Sequence, residues 1–267
     1  MNESHPQSVT QARFTHLLGG RVKVMQPVQG YRIGMDGAVL AAACAGLEPG
    51  GTALELGCGV GGALLSLKAR CPALAVTGLE REPDYARLAR GNAILNGYDG
   101  VTIIDGDIAA GFKAVLSSPA AEGDGHRPPI GRFDLVFSNP PYFDDPAALR
   151  PPHDAKRPAW IAEDGLGAWL SFALAAVRDG GDIVFIHRAD RLADLLAGLA
   201  NKAGSFVVRP VQPFADTEAK RVLVRARRLG KAPLRLLPAL VLHDGGERKH
   251  TEAVESILRG ERSLGWD

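Results

Sequence analysis

The chain has 267 residues, 46% of them apolar and 23% charged, with a net charge of +1. That is enough to bury a large core in one domain with additions, and too ordinary a composition for a disordered or fibrous protein. Its three cysteines, Cys44, Cys58 and Cys71, form no close-spaced pair and its seven histidines are scattered, so neither a disulfide framework nor a bound metal is expected. The first dozen or so residues are polar and carry no secretory leader, and no run of about 18 apolar residues is present to span a membrane. The expected location is the cytoplasm, with a frayed N-terminus and no membrane partner.

From residue 52 onward, short apolar runs alternate with amphipathic stretches of helical length, the pattern of a parallel sheet covered by helices on both faces. Strands are expected over 52–56, 75–80, 101–104, 133–137 and 182–187, and helices over 63–70, 84–95, 166–177 and 191–202. The helix over 84–95 stops at Asn96-Gly97. The stretch 117–132, rich in Pro, Gly and charge, reads as a mobile surface insertion. Strands over 205–208 and 221–226 follow with no helix-length crossover between them, which makes them an antiparallel pair. The fold class is therefore α/β, a doubly wound Rossmann-like sheet. Residues 1–29 form an extension ahead of a domain over 30–228, and 229–267 form an appendage packed on that domain.

The first strand runs into Glu55-Leu56-Gly57-Cys58-Gly59-Val60-Gly61-Gly62, where glycines let the backbone turn sharply and approach a ligand. Gly57, Gly59 and Gly62 also satisfy the dinucleotide fingerprint, so the loop alone fits a nicotinamide enzyme as well as a methyltransferase. Glu80 ends the second strand 23 residues after Gly57, where a carboxylate can accept bonds from both ribose hydroxyls. Two features favour the methyltransferase: Glu55, placed to lie near a cationic amino-acid tail, and Gly106-Asp107-Ile108 after the third strand, where Asp107 can accept from an adenine amino group. The alternative is that Glu80 and Asp107 merely cap the helices that follow. Cys58 reads as a small filler, because nothing near it in sequence would lower its pKa.

Ser138-Asn139-Pro140-Pro141-Tyr142 follows the fourth strand directly, at the carboxyl edge where open α/β sheets bind ligands. The two prolines remove two N–H donors and leave the Asn139 side-chain oxygen and the Pro140 carbonyl to accept bonds from one amino group. Tyr142 offers a face on which a planar acceptor can stack. A proline-stiffened turn without function is the alternative.

Together these motifs resemble the class I amino-methyltransferases that modify adenine, guanine or glutamine nitrogens. Within that class the chain looks most like the bacterial enzymes that methylate N6 of the adenine 3′ of the anticodon in tRNA for valine. Gly30-Tyr31-Arg32-Ile33-Gly34-Met35-Asp36-Gly37, Lys220-Arg221-Val222-Leu223-Val224 and the tail over 234–264 carry the narrower likeness, with Met35 where the family usually has threonine. The resemblance implies S-adenosylmethionine as cofactor, a seven-stranded sheet with an antiparallel last strand, and an Asp36 segment packed over the cofactor. It assigns Asn139, Pro140 and Tyr142 to catalysis, and Asp36, Glu55, Gly57, Cys58, Gly59, Gly61, Glu80, Asp107, Ile108 and Asn139 to the cofactor. Pro141, Phe143, Arg150 and Arg221 go to the substrate.

Eight basic residues against two acidic ones lie between Arg209 and Arg235, a face that can supply phosphate contacts to an RNA, with tRNA the expected partner, or can simply guard a strand edge. Three rivals remain. Release-factor glutamine methyltransferases share the acceptor motif but usually add a helical N-terminal domain of about 70 residues, whose period is not seen ahead of residue 52. A nicotinamide oxidoreductase would need a proton-transfer pair near the acceptor. A non-catalytic binder of S-adenosylmethionine would not need Asn139 and Tyr142. Phe143, Trp160 and Trp169 can line the acceptor entrance or fill core, and Trp169 is expected in the core, because it sits within an apolar helix.

Overall fold

The computed structural model describes residues 12–28, 33–48, 50–117, 132–141, 165–246 and 248–267. Two strands, β1 (Ala12–Leu17) and β2 (Val22–Pro27), pair as an antiparallel hairpin, followed by helix α1 (Met35–Ala45). The sheet region then runs β3 (Thr52–Leu56), α2 (Gly62–Arg70), β4 (Ala75–Glu80), α3 (Pro83–Leu95), β5 (Val101–Asp105), α4 (Phe112–Ser117) and β6 (Phe133–Ser138). It continues through α5 (Gly165–Ala176), β7 (Val177–Arg188), α6 (Leu192–Leu199), β8 (Ala203–Gln212) and β9 (Arg221–Arg228). The short strands β10 (Arg235–Leu236) and β11 (Leu240–Val241) and helix α7 (Glu252–Arg259) complete it.

The strand order is β10-β8-β9-β7-β6-β3-β4-β5, with β11 also on β8. Strands β5, β4, β3, β6 and β7 are parallel, and β9 runs antiparallel to both β7 and β8. This is the doubly wound sheet read from the sequence, with an antiparallel last long strand. It has nine strands rather than seven because β10 and β11 lengthen its edge. Central strands are mostly apolar, such as Leu135-Val136-Phe137 in β6, because both of their faces are covered. One face packs α1, α2 and α7 through Leu40, Leu64, Phe137, Ile186 and Ile257. The other packs α5 and α6 through Phe133, Phe172, Phe185 and Leu195.

Two elements ahead of the sheet carry no sequence period. Helix α1 is buried on all sides from Val39 to Ala45, so its residues need no polar face. The hairpin is held by Leu18, Val22 and Val24, buried against Val60 and Leu65, and by Asn92 on α3, which accepts from Met25 N–H at 2.7 Å and donates to Met25 O and Val60 O at 2.9 Å each.

The tail packs along α1. Leu264 N–H donates to Ala42 O at 3.0 Å and Trp266 Nε1 donates to Ala43 O at 2.8 Å. Arg21 in the hairpin turn donates to Gly260 O at 2.6 Å. Thr251 caps α7, its Oγ1 accepting from Val254 N–H at 3.4 Å and donating to Val241 O at 2.9 Å. Thr251→Ala should remove about 1 kcal/mol of stability, seen in calorimetry as a Tm lowered by about 2–4 °C.

Candidate functional site

The register of the parallel strands places the site. Leu56 at the end of β3 pairs with Ser138 at the end of β6 and with Leu79 on β4, and Glu80 pairs with Asp105 on β5. The residues that leave the sheet next to one another are therefore Asn139, Gly57 and Glu80, with Asp107 two residues beyond β5. Four strands spaced about 4.8 Å apart set these groups along some 15 Å of edge, a length suited to a nucleoside carrying an amino-acid tail. Ser138 Oγ donates to Leu56 O at 2.9 Å, tying the acceptor motif to the glycine loop.

The loop is shaped by its glycines. Gly57, Gly59 and Gly61 have φ of +64°, +56° and +88°, a region that side chains rarely adopt. A Cβ on Gly59 would meet nothing within 4 Å, so the loop has open space above it. A Cβ on Gly57 would lie 2.4 Å from Cη2 of Trp169. Cys58 is buried, its Sγ 2.6 Å from where a Cβ on Gly78 would stand, and burial with the Glu80 and Glu55 charges pushes its thiol pKa well up. It is a filler and a poor nucleophile, and its backbone N–H donates to Leu79 O at 3.0 Å.

Glu80 holds the loop from below. Its Oε2 accepts from Gly59 N–H at 2.8 Å and its Oε1 from Glu82 N–H at 2.9 Å. A carboxylate oxygen can accept twice, so ribose hydroxyls can still bind. Burial raises the Glu80 pKa, opposed by the N–H groups of Glu82, Gly59 and Arg81. Asp107 caps the following turn, its Oδ1 accepting from Ala109 N–H at 2.9 Å, and its Oδ2 stands 3.6 Å from Arg81. Ile108 packs at the rim of the α5 core.

Glu55, on β3, is buried, and burial drives its pKa well up, opposed by the N–H of Leu64 in the first turn of α2. Its Oε2 is enclosed without a hydrogen-bond partner among the described residues. An enclosed carboxylate oxygen is costly unless a donor or cation reaches it. Asp36, in the first turn of α1, pairs with Arg221 Nε at 3.1 Å, so the structure joins a residue expected at the cofactor to one expected at the substrate. Pro140 is buried and Pro141 half-buried at the mouth. Tyr142, Phe143 and Arg150 lie outside the described residues.

Next to this edge stands His187, 3% exposed near the end of β7. Burial, aided by Arg191, Arg188 and Arg221, lowers its pKa to about 4. The native imidazole is thus neutral where the unfolded chain, with a pKa of about 6.5, is protonated. Stability is lost as pH falls from about 6.5 toward 4. Acidifying from about pH 7.5 to about pH 5 should cost about 2 kcal/mol through this group. Urea midpoints at the two pH values should lose that share of their difference in His187→Gln.

The basic stretch read as an RNA face is half consumed by the fold. Arg209 donates to Pro238 O and Gly265 O, Arg221 pairs with Asp36, Arg225 with Asp182, and Arg228 with Asp179. Lys220, Arg227, Lys231 and Arg235 are exposed.

An open glycine loop, a carboxylate bound beneath it and an enclosed acid beside it fit S-adenosylmethionine, a nucleoside with a cationic tail. A family model for a methyltransferase domain matches residues 47–162. The chain belongs to the class I S-adenosylmethionine-dependent methyltransferases, and S-adenosylmethionine is its methyl donor. It is similar to tRNA1(Val) (adenine(37)-N6)-methyltransferase of Porphyromonas gingivalis, with 33% identity over 199 residues, 72% of each chain. It is also 33% identical over 184 residues to release factor glutamine methyltransferase of Deinococcus radiodurans, a match that spans 66% of this chain and 58% of that relative's length. The crystal structure of a predicted O-methyltransferase from Agrobacterium tumefaciens shares its fold with a TM-score of 0.68 at 25% identity, covering 86% of this chain and 98% of that one. No helix among the described residues is long and apolar enough to cross a membrane.

Proposed function

We propose that the chain methylates an exocyclic amino nitrogen, N6 of adenine in a tRNA anticodon loop. The observation that carries the reading is the register that sets Asn139 beside Gly57, with Ser138 bonded across to Leu56. S-adenosylmethionine supplies a methyl group already activated on a sulfonium. In this reading Asn139 Oδ1 and the Pro140 carbonyl accept both hydrogens of the amino group and turn its lone pair toward the methyl. Pro141 keeps the turn rigid, and Tyr142 stacks the base. Catalysis then comes from alignment, with no strong general base, and the nitrogen loses its proton to solvent after becoming cationic.

Glu80 receives the ribose hydroxyls, Asp107 and Ile108 the adenine, and Glu55 the cationic tail. Gly57, Cys58, Gly59 and Gly61 present backbone to the cofactor, and Asp36 holds Arg221 on the substrate side. Phe143 and Arg150 take the entering base and its phosphate. An unpaired loop base leaves its stack for a few kcal/mol. The hairpin adds support for RNA: Arg13, His16, Arg21 and Lys23 are exposed on a segment with no acidic residue from 12 to 28.

A second reading, methylation of a glutamine amide in a release factor, is favoured by the Deinococcus radiodurans relative. Both acceptors are planar nitrogens suited to the same pair of oxygens. The test is incubation with methyl-labelled S-adenosylmethionine and, in parallel, unmodified tRNA and unmethylated release factor, followed by digestion. Label in N6-methyladenosine supports the RNA reading. Label in glutamine overturns the substrate and keeps the chemistry, and no label with either removes both.

A further inference from the structure

We propose that the indole of Trp169 forms a wall of the nucleoside pocket, in contact with the adenosine half of the bound methyl donor; this rests on the cofactor placement above. Trp169 stands in the first turns of α5, at the end of that helix nearest the carboxyl edge of the sheet. Its Cη2 and Cζ3 lie 2.4 and 3.0 Å from where a Cβ on Gly57 would be, so the ring rests on the first glycine of the loop. Helix α5 also packs on the turn over Ile108–Ala110, and Trp169, Ile108 and Phe112 all sit at the rim of the α5 core. Ile108 directly follows Asp107, where the base is expected. Helix α5 thus bridges the two segments that enclose a nucleoside in this reading, reaching the loop after β3 through the Trp169 ring and packing on the turn after β5.

Its burial differs from that of a core tryptophan. Trp266 is 5% exposed and donates its indole N–H to Ala43 O. Trp169 is only half-buried, and its indole N–H makes no hydrogen bond to the described residues. A large ring left partly open beside a loop with open space above Gly59 is suited to cover a flat ligand. Aromatic rings are effective there because stacking does not require matched hydrogen bonds. The core position expected from the apolar helix is therefore half the account: one edge of the ring seals the core and the other faces the cofactor edge.

The test uses the full chain, S-adenosylmethionine and adenosine, with calorimetry and intrinsic fluorescence. Stacking of this kind is worth about 1–3 kcal/mol per base, so Trp169→Ala should weaken S-adenosylmethionine binding at least about fivefold. Adenosine alone should weaken by a similar factor. Trp169→Phe, which keeps a ring in the core, should bind nearly as wild type yet lose the emission change that the ligand causes. Trp266→Phe should keep that change. Binding of both ligands by Trp169→Ala within twofold of wild type, or an undiminished emission change in Trp169→Phe, would overturn the proposal. Failure of the wild-type chain to bind S-adenosylmethionine would instead overturn the cofactor placement.

Discussion

Asn139→Ala should lower kcat by about a thousandfold while changing the S-adenosylmethionine Kd by less than about threefold. Asn139 leaves β6 directly after Ser138, whose hydroxyl is bonded to Leu56 O, so the backbone that aims it is anchored to the cofactor strand. Its Oδ1 is shielded from solvent. In such a place an acceptor that grips one amino hydrogen acts on the nitrogen that must rehybridise, and its loss falls on the chemical step. Single-turnover measurement with saturating acceptor separates that step from binding. A weakened Kd with unaltered kcat would move Asn139 from the acceptor to the cofactor.

Glu55→Gln should weaken S-adenosylmethionine binding by about a hundredfold, the upper range for a charge-assisted hydrogen bond, and at the same time raise the Tm of the ligand-free chain. The opposite signs follow from one cause. Burial holds the Glu55 carboxyl well above the usual carboxylate range, so the folded state keeps a proton that the unfolded chain releases above about pH 4.3. This group's contribution is fully present below that pH and is lost as pH rises toward the folded pKa. An amide has no such cost at neutral pH. A cationic ligand tail would restore the charge, so binding to the wild type should release a proton, and calorimetry in buffers of different ionisation enthalpy should detect it. A Glu55→Gln chain with unaltered affinity would separate Glu55 from the cofactor.

The parts of the fold legible in sequence were those whose burial leaves a pattern. Strands β3 to β6 are largely covered on both faces, and β3, β5 and β6 each end at a glycine or asparagine, so their apolar runs stand out. Helix α1 is apolar without a period, and β1 is an exposed strand whose partner is fixed by Asn92, some 65 residues away from Met25. Strand β7 begins at Val177, five residues ahead of the expected start, because its pairing with β6 resumes across Asp179-Gly180-Gly181. In the site, the glycine loop, Glu80 and Asn139 were readable because their chemistry is local. The ring of Trp169 against Gly57 and the pairing of Arg221 with Asp36 were not, since both join residues more than a hundred positions apart. The Arg209–Arg235 stretch shows the same limit: the carboxylates and carbonyls that take up half its charge lie elsewhere in the chain, which its sequence alone does not reveal.

The tail that covers α1 also sets an order of events during synthesis. Ala42 and Ala43 are capped by Leu264 and Trp266, so at a ribosomal rate of about 5–20 residues per second the buried face of α1 waits roughly 10–40 s for its cover. The strands that carry the glycine loop and the acceptor motif emerge well before that. The nascent chain therefore holds the strands of the candidate site beside an uncovered apolar helix, which makes α1 the segment a chaperone would be expected to shield.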